Sequence, residues 1–178
     1  MSLERIQTFL WPALVVVGLV IAGCAQASWG ASDQGAQLQV SGLGGVSARA
    51  AATADVEAAF SAHTERPALL TRLFGIVIAL AALLGWWKPF RRNPIGVLAV
   101  SAVIVAAGVA TIVVAAMVIA DPAGHLFDAA VNDAIETPGP LLSPAWGVIA
   151  TLILGVLSVV LAPLTSIRRG RTRETAPG

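Results

Sequence analysis

Charge is scarce in this 178-residue chain: Asp, Glu, Lys and Arg make up 12% of it, against about 25% in an ordinary soluble domain. With 57% of residues hydrophobic, that deficit excludes an aqueous surface of normal polarity and points to a bilayer as the solvent. There is one cysteine, Cys24, which excludes an internal disulfide framework and a multi-cysteine metal site. Lysine also occurs once, as Lys88, among eleven basic residues; the preference for arginine suggests a GC-rich genome such as an actinobacterium's. No acid lies in the middle of an apolar run, where an ion or proton relay would want one. The two histidines, His63 and His125, fall outside those runs, so a buried bis-histidine haem is not expected. Gly42-Leu43-Gly44-Gly45 lacks the lysine and the strand–helix setting of a phosphate-binding loop. No cofactor and no metal is expected, and no nucleophile motif marks a catalytic site.

What is present is four long apolar runs, at residues 8–27, 67–87, 95–120 and 145–164. Each is long enough to cross the ~30 Å hydrocarbon layer as a helix. The third has 26 residues, about 39 Å as a helix, so it must tilt or extend beyond the layer. The fold expected is an all-α integral membrane protein, a four-helix transmembrane bundle. The five tryptophans, Trp11, Trp29, Trp86, Trp87 and Trp146, stand at the ends of these runs, as expected of rings placed at the headgroups. Small residues recur at helical spacing: Gly75 and Ala79; Ala102, Ala106 and Ala110; Ala107, Thr111 and Ala115; Gly147, Thr151 and Gly155. Such rows let helix backbones approach closely, within the bundle or against another protein.

The connecting segments differ in sign. The hairpin at 88–94, after Trp86-Trp87, holds Lys88, Arg91 and Arg92, and the tail at 165–178 holds Arg168, Arg169, Arg171 and Arg173. The segment at 121–144 carries Asp121, Asp128, Asp133 and Glu136 and no Lys or Arg. Basic segments stay cytoplasmic. The expected topology is therefore multi-pass in a bacterial plasma membrane, with both termini cytoplasmic and the 28–66 and 121–144 segments outside. The arginine tail would also suit nucleic acid, but beside a membrane helix it reads as topology or headgroup binding, so no nucleic-acid partner is expected.

Within 28–66, Gln37-Leu38-Gln39-Val40-Ser41 alternates with the period of a half-buried strand, and the glycines at 42–45 then form a turn. Ala48 to Phe60 is expected to be helical, with Val56 and Phe60 on one face. Together these predict a small extracytoplasmic cap of short strands and a helix; a disordered loop is the alternative. Gly124 to Glu136 is expected to form an amphipathic helix with Phe127, Val131 and Ile135 inward, ended by Pro138, Pro140 and Pro144. Arg72, near the outer end of the second run, either snorkels to the interface or pairs with Asp128, Asp133 and Glu136.

Ile21-Ala22-Gly23-Cys24 has two readings. It resembles the lipobox of bacterial lipoproteins, which would acylate Cys24, remove residues 1–23 and leave three spans with the new N-terminus outside. Alternatively it is a packing position in a retained span. Trp29, Val40-Ser41-Gly42, the Arg91-Arg92 hairpin and Trp146 together resemble the tryptophan-associated four-span transmembrane proteins of actinobacteria. That resemblance implies a small bundle with a long first outer loop and a basic tail; the family's biochemical role being undefined, it carries no functional residues over. The functional expectation is a non-enzymatic accessory or assembly protein of the cell envelope. Its partners would be membrane lipid and other membrane or envelope proteins or further copies of itself. The alternative is a small transporter or channel subunit.

Overall fold

The computed structural model describes residues 3–32, 37–48, 58, 61–128 and 142–166. Four long helices pack in a ring: α1 (Leu3–Cys24), α2 (Ala68–Trp86), α4 (Pro94–Ala120) and α6 (Trp146–Leu164). In that order each packs on the next, and α6 closes on α1. Three of them, α2, α4 and α6, are long and apolar enough to cross a membrane, consistent with a multi-pass membrane protein; in α1 the apolar stretch is Phe9–Cys24.

The outward faces carry large apolar side chains. Leu69, Leu73, Leu80 and Leu84 on α2, Leu98, Val109 and Val113 on α4, and Ile149, Ile153 and Val160 on α6 are all exposed. A soluble bundle would turn such rows inward, whereas lipid tails are as apolar as leucine and accept them.

Short elements set the bends. Trp87 leaves the helical region (φ −65°, ψ 127°) and starts the single-turn helix α3 (Lys88–Arg92), with Pro89 in its first turn. Asn93 then accepts a hydrogen bond from Ile95 N on its side chain, and Pro94 opens α4. Both prolines thus occupy first-turn positions, where a missing N–H costs nothing. At the other end of α4, the Asp121 side chain accepts from Gly124 N and Pro122 opens the short α5 (Pro122–Leu126).

A four-stranded antiparallel sheet lies at the end where α1 finishes and α2 and α6 begin. Its strands are β1 (Ser28–Ala31), β2 (Leu38–Ser41), β3 (Val46–Ala48) and β4 (Ser143–Pro144), in the order β3-β2-β1-β4. The alternation at 37–41 is therefore a strand, and the glycines after it are the turn to β3, with Gly44 at φ +85°. β4 was not expected, and it makes the sheet a joint product of both loops rather than of the first alone. Pro144 is tolerated there because β4 is an edge strand.

One helix expectation is corrected, and a second is described only in part. The helix after Asp121 stops at Leu126, and Phe127 is extended where it bridges antiparallel to Thr64, a backbone pairing that a continuing helix could not make. Its remainder, at 129–136 with Val131 and Ile135, lies outside the described residues. Of the helix expected from Ala48 to Phe60, Ala48 instead ends β3 and Ala58 is helical, whereas Val56 and Phe60, like Pro138 and Pro140, lie outside the described residues.

Candidate interaction surface

The sheet is fastened to the bundle through Trp29. Between Ser28 and Gly30 the register with β2 slips by one residue, a bulge that re-aims a side chain. The Trp29 ring enters the end of the bundle, fully buried, with Val40, Ala68, Ala115, Val118, Leu126, Phe127, Leu142 and Val148 around it. Its Nε1–H donates to Cys24 O at 3.0 Å, closing the last turn of α1. Gly42 and Gly147 lie where a Cβ would press on the Trp29 ring. Backbone bonds complete the attachment: Ala68 N donates to Gly42 O at 3.1 Å and Ala145 N donates to Trp29 O at 2.9 Å.

A second seam joins the segment before α2 to the end of α5. Thr64 bridges antiparallel to Phe127, Glu65 N donates to Leu126 O at 3.0 Å, and Asp128 N donates to His63 O at 3.0 Å. Above it, His63 Nδ1 and Asp128 Oδ2 are 2.8 Å apart, both partly exposed. The Thr64 hydroxyl donates to Gly44 O at 2.9 Å, tying the seam to the β2–β3 turn. Every link is structural in kind. Among the described residues no group of three His, Cys, Asp or Glu side chains could hold a metal ion. The arrangement can present a fixed polar surface.

The predicted site residues divide. Gly75 and Ala79 are buried against Gly18 and Ala22 of α1, with Gly18 and Gly75 in reciprocal backbone contact, and Gly155 is buried against Gly108. Gly147 and Thr151 are also buried. Ala102 and Ala106 are exposed and Ala110 half-buried, while Ala107, Thr111 and Ala115 on the other side of α4 face the core. The described partner of Asp128 is His63; Arg72 is exposed, and Asp133 and Glu136 lie outside the described residues. Cys24 is buried at the end of α1. Lys88 is exposed, Arg91 and Arg92 are on α3, and Arg168, Arg169, Arg171 and Arg173 lie outside the described residues.

The tryptophans need correction. Trp86, Trp87 and Trp146 are 46%, 61% and 64% exposed, as interface rings would be, but Trp29 is 0% and Trp11 4% exposed. Those two are core residues. Trp11 occupies the space a side chain at Gly85 would need, just as Trp29 sits over Gly42. Sequence reasoning missed Gly18, Gly85 and Gly108. Gly18-x-x-x-Ala22 opposite Gly75-x-x-x-Ala79 was a readable signal, two small-residue pairs at the spacing that packs helices; Gly85 and Gly108 left none.

No protein-family model matches this chain, and no curated protein matches it.

Proposed function

We propose that this protein is a non-enzymatic accessory or assembly subunit of a bacterial cell envelope, similar in kind to the tryptophan-associated four-span proteins of actinobacteria. In this reading α1, α2, α4 and α6 all cross the plasma membrane, both termini are cytoplasmic, and the sheet faces outward to bind protein partners. The observation that carries it is the cap: two loops distant in sequence contribute strands to one sheet, which is then held to the helices by a buried tryptophan. Ordering that much chain costs about 1–2 kcal/mol per residue, an outlay that a mere connection between spans does not require.

Two further observations support the reading. α1 supplies Trp11, Leu14, Val17 and Ile21 to the core, so removal of residues 1–23 with acylation of Cys24 would strip one wall from the bundle. The bundle centre also disfavours a transport path. It is filled by Leu14, Ile21, Ile78 and Ile104. The hydroxyls of Thr71, Thr111, Thr151 and Ser158 donate to carbonyls of their own helices.

Affinity purification in mild detergent tests the function: a stable envelope partner or an oligomer is expected, lost when the cap is altered at exposed positions such as Ser47. Recovery as a lone, monodisperse species would overturn it. Topology is tested separately with an impermeant maleimide on intact cells, which should label Ser47→Cys and spare Asn93→Cys.

A further inference from the structure

The end of the bundle opposite the sheet carries a groove of roughly 730 Å³, lined by Leu80, Leu83, Leu84, Trp86, Trp87 and Lys88. That is within the size of small-ligand sites, about 300–1,000 Å³. Its wall is the outward face of α2, one turn and a half of leucines, and its mouth is the bend into α3. Trp86 and Trp87 both remain exposed there, so neither is occupied in closing the core; Trp11 does that from the other side of Gly85.

We propose that this groove binds an anionic glycerophospholipid, with an acyl chain along Leu80, Leu83 and Leu84, the two indoles at the glycerol level, and the phosphate at Lys88. The inference rests on the membrane reading above but not on which side the hairpin faces. Charge complementarity selects the occupant. The hairpin 86–94 contributes Lys88, Arg91 and Arg92 with no acid, whereas the segment after α4 is acidic. A zwitterionic lipid brings its own cation into that field and gains less. An apolar helix of a second protein would fill the leucine wall but would leave the ammonium of Lys88 beside hydrocarbon, a costly arrangement. Indole rings favour the glycerol level, where one edge is apolar and the N–H stays hydrated.

The test uses the whole protein in vesicles of phosphatidylcholine doped with brominated phosphatidylglycerol or brominated phosphatidylcholine, symmetric in both leaflets so that orientation does not matter. Bromine quenches indole fluorescence on contact. The anionic lipid should reach half-maximal quenching at a mole fraction lower by about fivefold or more, the factor for one engaged surface cation. Lys88→Gln with Arg91→Gln and Arg92→Gln should remove that preference while leaving thermal unfolding in detergent unchanged. Trp86→Phe with Trp87→Phe should remove the selective part of the signal. Equal quenching by the two lipids would overturn the proposal. So would a preference that survives the triple substitution, which would place the anionic lipid elsewhere. Weak quenching of Trp86 and Trp87 by both lipids would overturn it in favour of a protein helix in the groove. If topology labelling fails while the lipid preference holds, the orientation is wrong and the lipid site stands.

Discussion

The two ends of the bundle solve one problem with different surroundings. Each is plugged by a buried tryptophan set against glycine: Trp29 over Gly42 and Gly147 at the sheet end, Trp11 against Gly85 at the hairpin end. At the sheet end the plug is covered by strands and by Leu126, Phe127 and Leu142. At the hairpin end it is flanked by Val97, Ala81 and Ala82 of neighbouring helices, and the chain turns at once through a single helical turn. The sheet end is built to hold a polar surface in place. The hairpin end is built to stop, with its remaining tryptophans left outside. The same residue type therefore anchors a cap in one place and stays exposed in another, and the two buried rings are the ones that pack against a glycine of another element.

The sharpest break of this comparison is to remove each plug. Trp29→Ala should cost about 3–5 kcal/mol, as large-to-small changes in aqueous cores do, because water can enter beneath the sheet and the Cys24 carbonyl keeps Ala27 N but loses the indole donor. Trp11→Ala should cost less, about 1–3 kcal/mol, since lipid replaces water as the competing solvent and only packing is lost. Reversible unfolding of both variants in mixed micelles measures the difference. If Trp11→Ala is the more damaging, the sheet is not the element that depends on its tryptophan. Trp29→Phe separates ring from hydrogen bond and should recover all but about 1 kcal/mol.

Next in size are changes to the helix contacts that join the two ends. Gly18→Leu or Gly75→Leu places a side chain where the backbone of the partner helix lies, within 2.7 Å of a Cβ, and should cost about 1–3 kcal/mol of overpacking. Ala106→Leu, on the exposed side of α4, should stay within about 0.5 kcal/mol. An equal loss at Ala106 in detergent-solubilised protein would mean that this face is covered by another chain. A smaller effect, about 1–2 kcal/mol, is expected for Gly44→Ala, because the left-handed φ of +85° penalises a Cβ; it should be confined to the sheet end and read as faster proteolysis there.

Much of this frame was legible beforehand, for reasons that differ by element. The apolar runs give α2, α4 and α6 directly, because lipid-facing and core-facing positions are both apolar. β2 was legible through its alternation, and its turn through the glycines. What was not legible depends on partners distant in the chain. Trp11 at the start of a run looks the same whether it faces headgroups or Gly85. Ser143-Pro144 reads as a helix breaker until β1 offers an edge. Ala102–Ala106–Ala110 and Ala107–Thr111–Ala115 are equally good rows on one helix, and only the placement of α6 and α2 decides which turns inward. The seam between Thr64 and Phe127 carries no sequence signal, since it is made by backbone groups.

That seam supplies the smallest expected effect and a check on where the cap's rigidity resides. His63 and Asp128 are 2.8 Å apart but about half exposed, and exposed ion pairs contribute about 0–1 kcal/mol. The backbone bonds below them, from Asp128 N to His63 O and from Glu65 N to Leu126 O, do not need the imidazole. His63→Ala should therefore lower stability by under about 1 kcal/mol, and the amides of Glu65 and Asp128 should keep their slow hydrogen exchange. Fast exchange at both amides in His63→Ala would show that the side-chain pair holds the seam closed. The cap would then owe its shape to that side-chain pair rather than to the sheet and Trp29.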